Sequence, residues 1–172
     1  MLASKQIGAL LAICFSAFAK PILSRQSRSS QNVGQCSNTH LPTEELYLQG
    51  VTQYCNNHFK QGVTLKDKDE VVVTIDLRDK SDSKVQWIYK IRWEDDSSMG
   101  EGPIEINQAT CLAKFRVWAE DEMRIDLAPA NCMDGDTKLI MGGKYVAGGS
   151  SLVKNLNRPG SKLWIETRQK RG

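Results

Sequence analysis

Cysteine is the residue type of this 172-residue chain whose spacing carries the most specific chemistry. Cys14 falls in an apolar N-terminal segment, which leaves an even set of four cysteines further along the chain. An even set in a secreted chain indicates disulfide bonds, with three possible connectivities for four cysteines. Zinc binding is the rival use of cysteine, but no two of the four are close in the sequence. The four are Cys36, Cys55, Cys111 and Cys132.

Acid–base catalysis is the second chemistry that the residue types would permit. His40 and His58 are the only histidines, and a secreted ribonuclease could combine a histidine with a carboxylate such as Glu70 or Glu94. The spacing selects none of these residues, and the chain contains neither a Gly-x-Ser-x-Gly nor a His-Glu-x-x-His motif. We therefore expect no catalytic residue, no metal site and no cofactor.

Two segments of different composition precede the first of the four cysteines. Residues 1–19 have the pattern of a secretory signal peptide, in which Lys5 precedes a short apolar run and Ala17 and Ala19 form a small-x-small cleavage site. The apolar run is far shorter than a membrane span. Residues 20–35 are rich in Ser, Gln and Arg, so we expect a disordered segment or a processed pro-segment there. These patterns predict a secreted, extracellular protein.

Charge is unevenly distributed along the chain. The formal net charge is +3, but seven of the 23 basic residues and one of the 20 acidic residues lie before Cys36 or after Ile165. The stretch between these two residues is therefore weakly acidic. Because a domain that binds nucleic acid usually has a basic surface, we expect no nucleic-acid partner.

Two stretches have the apolar spacing of amphipathic helices. The first is predicted over 43–58, where Thr43 can accept hydrogen bonds from free N–H groups and Gly50 could allow close approach to a sheet. The second is predicted over 107–122, with Asn107 as a good first cap. The core-facing positions of the first helix, which include Phe59 just beyond it, are Tyr47, Val51, Tyr54, Cys55 and Phe59.

Four stretches have the composition and patterning of strands. The second of them alternates strictly, with Trp and Tyr on one face and polar residues on the other, which is typical of an antiparallel sheet covered on one side. Its aromatic row could form a ligand platform, but it is also the natural inward face beneath two helices. The polar connection 78–84 predicts a hairpin between the first two strands. The predicted strands are 70–77, 85–93, 138–146 with a bulge or bend at its two glycines, and 161–167.

The order of these elements predicts an α+β two-layer sandwich with the order αββαββ. We expect one antiparallel four-stranded sheet with two antiparallel helices on one face. The expected single domain covers 36–167 and is followed by a basic tail over 168–172.

Antiparallel helices favour one of the disulfide connectivities. The end of the first helix would then lie near the start of the second, so Cys55 would meet Cys111. The entry to the first helix would likewise lie near the exit from the second, so Cys36 would meet Cys132. A crossed pairing would need parallel helices. We therefore expect a sandwich with one disulfide bond at each end of the helix pair.

The pattern of spacings resembles that of small cysteine-containing proteins secreted by fungi, including plant-pathogen effectors. The resemblance rests on 51–56 (Val-Thr-Gln-Tyr-Cys-Asn), the Trp-rich second strand, Cys111, Cys132 and Gly142-Gly-Lys144. Several such effectors have the α/β-sandwich fold of the smut-fungus viral killer toxin, so the resemblance implies this fold. Many of these proteins have a further cysteine near the final strand, which this chain lacks.

These observations lead us to expect a secreted, non-enzymatic, effector-like protein that binds a host or extracellular protein or glycan. Its exposed sheet face and its loops are the expected binding surface, and we expect a monomer without stable membrane insertion. Two alternatives stay open. One is a membrane-perturbing protein similar to the killer toxin, and the other is a secreted ribonuclease.

Overall fold

The computed structural model describes residues 34–95, 102–119, 130–147 and 161–171. The expected signal peptide, most of the expected pro-segment and residues 120–122 of the second predicted helix lie outside the described residues. Within the described ranges the chain forms two helices and eight strands. In chain order these are α1 (Glu44–Phe59), β1 (Val63–Leu65), β2 (Glu70–Arg78), β3 (Lys84–Glu94), β4 (Ile104–Ile106), α2 (Gln108–Arg116), β5 (Asn131–Asp134), β6 (Thr137–Ile140), β7 (Gly143–Ala147) and β8 (Lys162–Gln169).

Both helices begin after the predicted caps. The Thr43 hydroxyl accepts a hydrogen bond from the Leu46 N–H (3.4 Å), and the Asn107 side-chain oxygen accepts one from the Thr110 N–H (2.9 Å). Each cap thus satisfies a backbone donor that the first helical turn leaves free. All five predicted core positions of α1 are buried.

The two helices are antiparallel and cover the same face of the sheet. Near the start of α1, the Tyr47 hydroxyl donates a hydrogen bond to the Phe115 carbonyl near the end of α2 (2.9 Å). Near the end of α1, Cys55 is bonded to Cys111 near the start of α2. The centre of the Tyr89 ring in β3 lies 5.6 Å from the centre of the Phe115 ring, and the Tyr89 hydroxyl donates a hydrogen bond to the Tyr47 carbonyl (3.0 Å). One strand residue therefore contacts both helices.

Gly50 lies inside α1 where the helix comes closest to the sheet. A Cβ atom at this position would overlap the Tyr89 hydroxyl oxygen and lie 2.9 Å from a methyl carbon of Leu77. Glycine costs about 1 kcal/mol relative to alanine in a helix interior. The close packing against β2 and β3 accounts for its presence and confirms the expected close approach.

The main sheet contains four antiparallel strands in the order β2-β3-β8-β7. The predicted hairpin between its first two strands is confirmed, with Arg78 paired to Lys84. The predicted inward row of β3 is at most 2 % exposed. We call the helix-facing side the covered face; it consists of Val71, Val73, Ile75, Leu77, Val85, Trp87, Tyr89, Ile91, Trp93, Gly143, Tyr145, Ala147, Leu163, Ile165, Thr167 and Gln169.

The prediction of one strand over 138–146 is wrong. Its first part is β6, which pairs with β5, and its second part is β7, which pairs with β8 in the main sheet. Gly142 separates the two with φ +76°, a backbone conformation that glycine adopts without a steric penalty. The expected bend at the glycines is therefore present, but it ends one strand and starts another.

Two short ribbons were not predicted. Antiparallel pairing joins β1 to β4 and β5 to β6, so the described strands form three sheets rather than one. These strands have three or four residues each, too few to show an alternating pattern. The element order is helix, four strands, helix, four strands, and the predicted order αββαββ is wrong in its strand count. The α+β class, the two helices and the antiparallel pairing are confirmed.

The second disulfide ties the entry of α1 to the β5–β6 ribbon. Cys36 is bonded to Cys132, which lies in β5, with the two Cα atoms 5.1 Å apart. The Cys36 N–H also donates a hydrogen bond to the Met133 carbonyl (3.0 Å). Both bonds thus follow the nested pairing that antiparallel helices favour. Neither described helix is long and apolar enough to cross a membrane.

Candidate functional site

The side of the main sheet that points away from the helices is the open face. Successive side chains of a strand point to opposite sides of the sheet. The residues of the open face are therefore those that alternate with the residues of the covered face. The open face consists of Glu70, Val72, Thr74, Asp76 and Arg78 from β2, Lys84, Gln86, Ile88, Lys90, Arg92 and Glu94 from β3, Lys144 and Val146 from β7, and Lys162, Trp164, Glu166 and Arg168 from β8.

The open face is basic, although the chain between Cys36 and Ile165 is weakly acidic. Seven lysines and arginines lie on the face against four glutamates and aspartates, which gives a formal net charge of +3. The sequence average hides this excess, because the register of β3, β8 and β7 collects cations from distant parts of the chain on one side. A face of one sign attracts ligands of the opposite sign.

Each of the four acids on the open face is paired with a cation. Three pairs link Lys90 to Glu70 (2.6 Å), Lys84 to Asp76 (2.8 Å), and Arg168 to Glu166 (2.7 Å). The fourth links Arg92 to Glu94 (3.0 Å). The hydrogen bond from Lys84 is the largest of the effects that hold the pKa of Asp76 below its ordinary value. The acids are thus neutralised locally, and the excess charge resides on the remaining cations.

The remaining cations are Arg78, Lys144 and Lys162. Arg78 is engaged by the hairpin, since its guanidinium donates a hydrogen bond to the Asp82 carbonyl (2.8 Å) and its Nε lies 3.9 Å from the Asp82 carboxylate. Lys144 and Lys162 have no acidic partner among the described residues. The Lys144 ammonium instead lies 3.9 Å from the centre of the Trp164 ring. The uncompensated positive charge is therefore concentrated on β7 and β8.

Trp164 lies between these two lysines in the middle of the basic region. It is opposite Arg92 in β3 and opposite Val146 in β7. Its indole N–H donates a hydrogen bond to the Glu94 carboxylate (2.6 Å), which also pairs with Arg92. The ring is therefore fixed in place by a cation on one side and a carboxylate at its edge. We call Arg92, Lys144, Lys162 and Trp164 the basic cluster.

The most exposed apolar side chains of the open face lie at its two edges, while Ile88 and Trp164 in the central strands are only partly exposed. Val72 in β2 is 46 % exposed and Val146 in β7 is 38 % exposed. These strands are the two edges of the main sheet, and the charged residues of β3 and β8 lie between them. The open face therefore lacks the contiguous apolar centre that characterises most protein–protein interfaces.

His40 is oriented by a carboxylate that the sequence did not reveal. Its Nδ1 contacts the Oδ2 of Asp79, which is 3 % exposed and also accepts hydrogen bonds from the Ser81 N–H (2.8 Å) and the Ser83 N–H (2.9 Å). Burial alone would raise the pKa of Asp79, but the hydrogen bonds from Ser83, His40 and Ser81 hold this pKa below its ordinary value. The sequence indicated only that Asp79 lies in a polar hairpin, and nothing in it linked this hairpin to a histidine 39 residues earlier.

The residues proposed for a ribonuclease do not converge. His40 precedes α1 and His58 is in its last turn, and a 16-residue helix is about 24 Å long. Glu70 and Glu94 lie at the far end of β2 and β3 from the hairpin that holds His40, and both are paired with cations. A histidine oriented by a carboxylate is part of a general-base pair, but within the described ranges no hydroxyl or thiol hydrogen-bonds to the His40 ring.

A shallow groove of about 270 Å³ lies between the two helices. It is lined by side chains from both helices, among them Leu48, Thr52 and Arg116, and it ends at Ala119 beside a stretch outside the described residues. No group of three or more metal-ligating side chains is found in the part of the chain that the structure describes. Among the described surfaces, we therefore take the open face, with its seven cations and four acids, as the candidate site.

Comparison of the chain with protein-family models, with curated proteins and with solved structures gives no match.

Proposed function

We propose that this protein is a secreted, non-enzymatic binding protein that engages an extracellular partner through the open face of its main sheet. The observation that carries the proposal is the segregation of charge on that sheet. Its covered face is packed against two helices, while its open face presents two lysines that have no acidic partner among the described residues and that lie next to a fixed tryptophan. Uncompensated charge at a fixed position is a basis for recognition of an oppositely charged partner.

The disulfides support the extracellular part of the proposal. Both bonds join residues that are far apart in the sequence, with separations of 96 and 56 residues. Bonds of this kind form and persist in oxidising compartments, which include the extracellular space. We therefore retain secretion, and the role of an effector-like protein, as parts of the proposal.

The proposal also includes the structural class implied by the resemblance to secreted fungal effectors. Two antiparallel helices on one face of a four-stranded antiparallel sheet are compatible with a killer-toxin-like α/β sandwich. A solved structure of a secreted fungal effector that superimposes both the helix pair and the order β2-β3-β8-β7 would support this class. A different strand order in all such structures would argue against it.

A binding experiment with matched variants tests the proposed surface. The double variant Lys144→Gln/Lys162→Gln removes two positive charges from the open face, and Lys60→Gln/Arg116→Gln removes two exposed charges from the helix layer. We expect the first variant to lose retention on immobilised cell-surface extract from host tissue, and the second to be retained as well as the unmodified protein. Equal retention of both variants would contradict the proposal.

Dye leakage from liposomes separates binding from membrane perturbation. A binding protein releases no dye at micromolar concentration, whereas a protein that acts like the killer toxin would release it. The open face favours binding, because its two most exposed apolar side chains, Val72 and Val146, are on opposite edges with charged residues between them. Leakage that persists in the Lys144→Gln/Lys162→Gln variant would favour the membrane alternative.

A further inference from the structure

We infer that the partner of the open face is a linear polysaccharide that carries carboxylates along its chain, a polyuronate. This inference rests on the proposed function and names the chemistry of its partner. It begins with the geometry of the basic cluster. Lys144 is opposite Glu166 in the register, and Lys162 lies four residues before Glu166 on the neighbouring strand. The two lysine Cα atoms are therefore about 14 Å apart, with Trp164 between them.

The spacing of the two lysines suits a polymer rather than a single small anion. A small anion would contact one ammonium group and leave the other uncompensated. A chain with a negative group on each repeat can lie across β7 and β8 and meet both lysines at once, so the two contacts reinforce each other. No pocket on the open face is needed for this mode of binding, because the two lysines lie on neighbouring strands of one open sheet surface.

The chemistry around Trp164 favours carboxylates over the bases of a nucleic acid. Proteins that bind single strands use exposed aromatic rings on which bases stack. Trp164 is the only aromatic side chain on the open face, and Lys144 covers one side of its ring at 3.9 Å. Carboxylates, by contrast, already fit this region. Glu94 accepts the indole N–H of Trp164 and pairs with Arg92, so the cluster holds one carboxylate of its own.

Protein and membrane partners fit the open face less well. A protein interface has an apolar centre with a polar rim, whereas here the centre is charged and the exposed valines Val72 and Val146 are at the edges. A membrane-binding surface needs apolar side chains that enter the bilayer, and the basic cluster has only the fixed ring of Trp164. A hydrophilic polyanion needs neither feature.

Binding to polygalacturonate tests the inference, and its methyl ester is a matched control because esterification removes the charge but keeps the sugar backbone. We expect the protein to bind polygalacturonate and not the ester. We expect affinity to be roughly tenfold lower in Lys144→Gln/Lys162→Gln and unchanged in Lys60→Gln/Arg116→Gln. Binding should weaken as the salt concentration rises.

Several outcomes would overturn the inference. These are equal binding of the ester, no effect of the open-face variant, and tighter binding of dextran sulfate, poly(U) or phosphatidylserine vesicles at matched charge concentration. The same experiment distinguishes this inference from the proposed function. If the open-face variant loses retention on host extract but free polygalacturonate does not compete, the open face binds a partner of another class, and only the polyuronate assignment fails.

Discussion

Along β3, the odd-numbered residues from Val85 to Trp93 are at most 2 % exposed, whereas four of the six even-numbered residues from Lys84 to Glu94 are charged. The same strand therefore contributes to two surfaces with opposite properties. The covered face excludes water and holds the helices, while the open face presents charge. Because the two sets alternate residue by residue, substitutions one position apart should affect different properties: stability on the covered face, and binding on the open face.

Removing the disulfide that joins the two helices should give the largest loss of stability on the covered face. We expect Cys55→Ala/Cys111→Ala to lower the free energy of unfolding by about 4 kcal/mol, because the bond closes a 56-residue loop in the unfolded chain. Urea unfolding followed by tryptophan fluorescence measures the change. The open-face variant Lys144→Gln/Lys162→Gln is the control and should unfold at the midpoint of the unmodified protein. A midpoint that is unchanged without the disulfide would contradict this account.

Gly50 tests how closely the covered face packs. Alanine favours helix over glycine by about 1 kcal/mol, but its Cβ would overlap the Tyr89 hydroxyl. We expect the steric effect to dominate and Gly50→Ala to destabilise the protein by about 1 to 3 kcal/mol. Gln49→Ala, at the exposed neighbouring position, should leave stability nearly unchanged. If Gly50→Ala raised the denaturation temperature, the packing of α1 on Tyr89 would be looser than described.

Asp79 gives a pH-dependent test at the end of the sheet, away from the basic cluster. Its pKa is lower in the folded protein than its ordinary value of 3.8, so its stabilisation is present above that pH and is lost as the pH falls through the folded-state pKa. We expect Asp79→Asn to reduce stability by about 1 to 2 kcal/mol at pH 7 and to reduce the loss of stability on acidification.

Asp82→Asn is the control for this test, since Asp82 is in the same hairpin with an exposed side chain. Thermal unfolding between pH 7 and pH 2.5 measures both variants. If the denaturation temperature of Asp79→Asn fell with pH in parallel with that of the unmodified protein, Asp79 would not be the source of the pH-dependent stability. Retention on host extract should be unaffected in either variant, because the hairpin is not part of the basic cluster.

The smallest expected change in stability belongs to the open face. Lys144→Gln/Lys162→Gln should alter the free energy of unfolding by less than about 0.5 kcal/mol, because both side chains are exposed. Its effect on binding should nevertheless be the largest of all these variants. A variant that lost binding together with several kcal/mol of stability would show that the two faces are not separable.

The sequence predicted the helices and strands whose residue patterns involve neighbouring positions and extend over many residues. The caps Thr43 and Asn107, the core positions of α1 and the hairpin of β2 and β3 all produce regular signals within a few turns or a few strand residues. Strands of three or four residues, such as β1 and β4, pair across some 40 residues and have no comparable signal. Their existence depends on the rest of the fold.

The candidate site was less predictable than the fold. The open sheet face was expected as a binding surface, but its positive charge was not, because that charge depends on the register of β3 with β8 and of β8 with β7. Lys144, Lys162 and Arg92 are brought together only by this register. The contact of His40 with Asp79 is a second example, since it joins the entry of α1 to a hairpin 39 residues later. Pairings over such distances are set by tertiary structure.

The indole N–H resonances of the four tryptophans provide the most direct measurement of where the partner binds. Trp87, Trp93 and Trp118 are at most 1 % exposed, and Trp164 alone lies on the open face. In a titration of the 15N-labelled protein with oligogalacturonate, we predict that the Trp164 indole resonance shifts in proportion to occupancy, while the other three stay in place. A titration that leaves Trp164 unmoved and shifts residues of the helix groove, such as Arg116, would contradict the account.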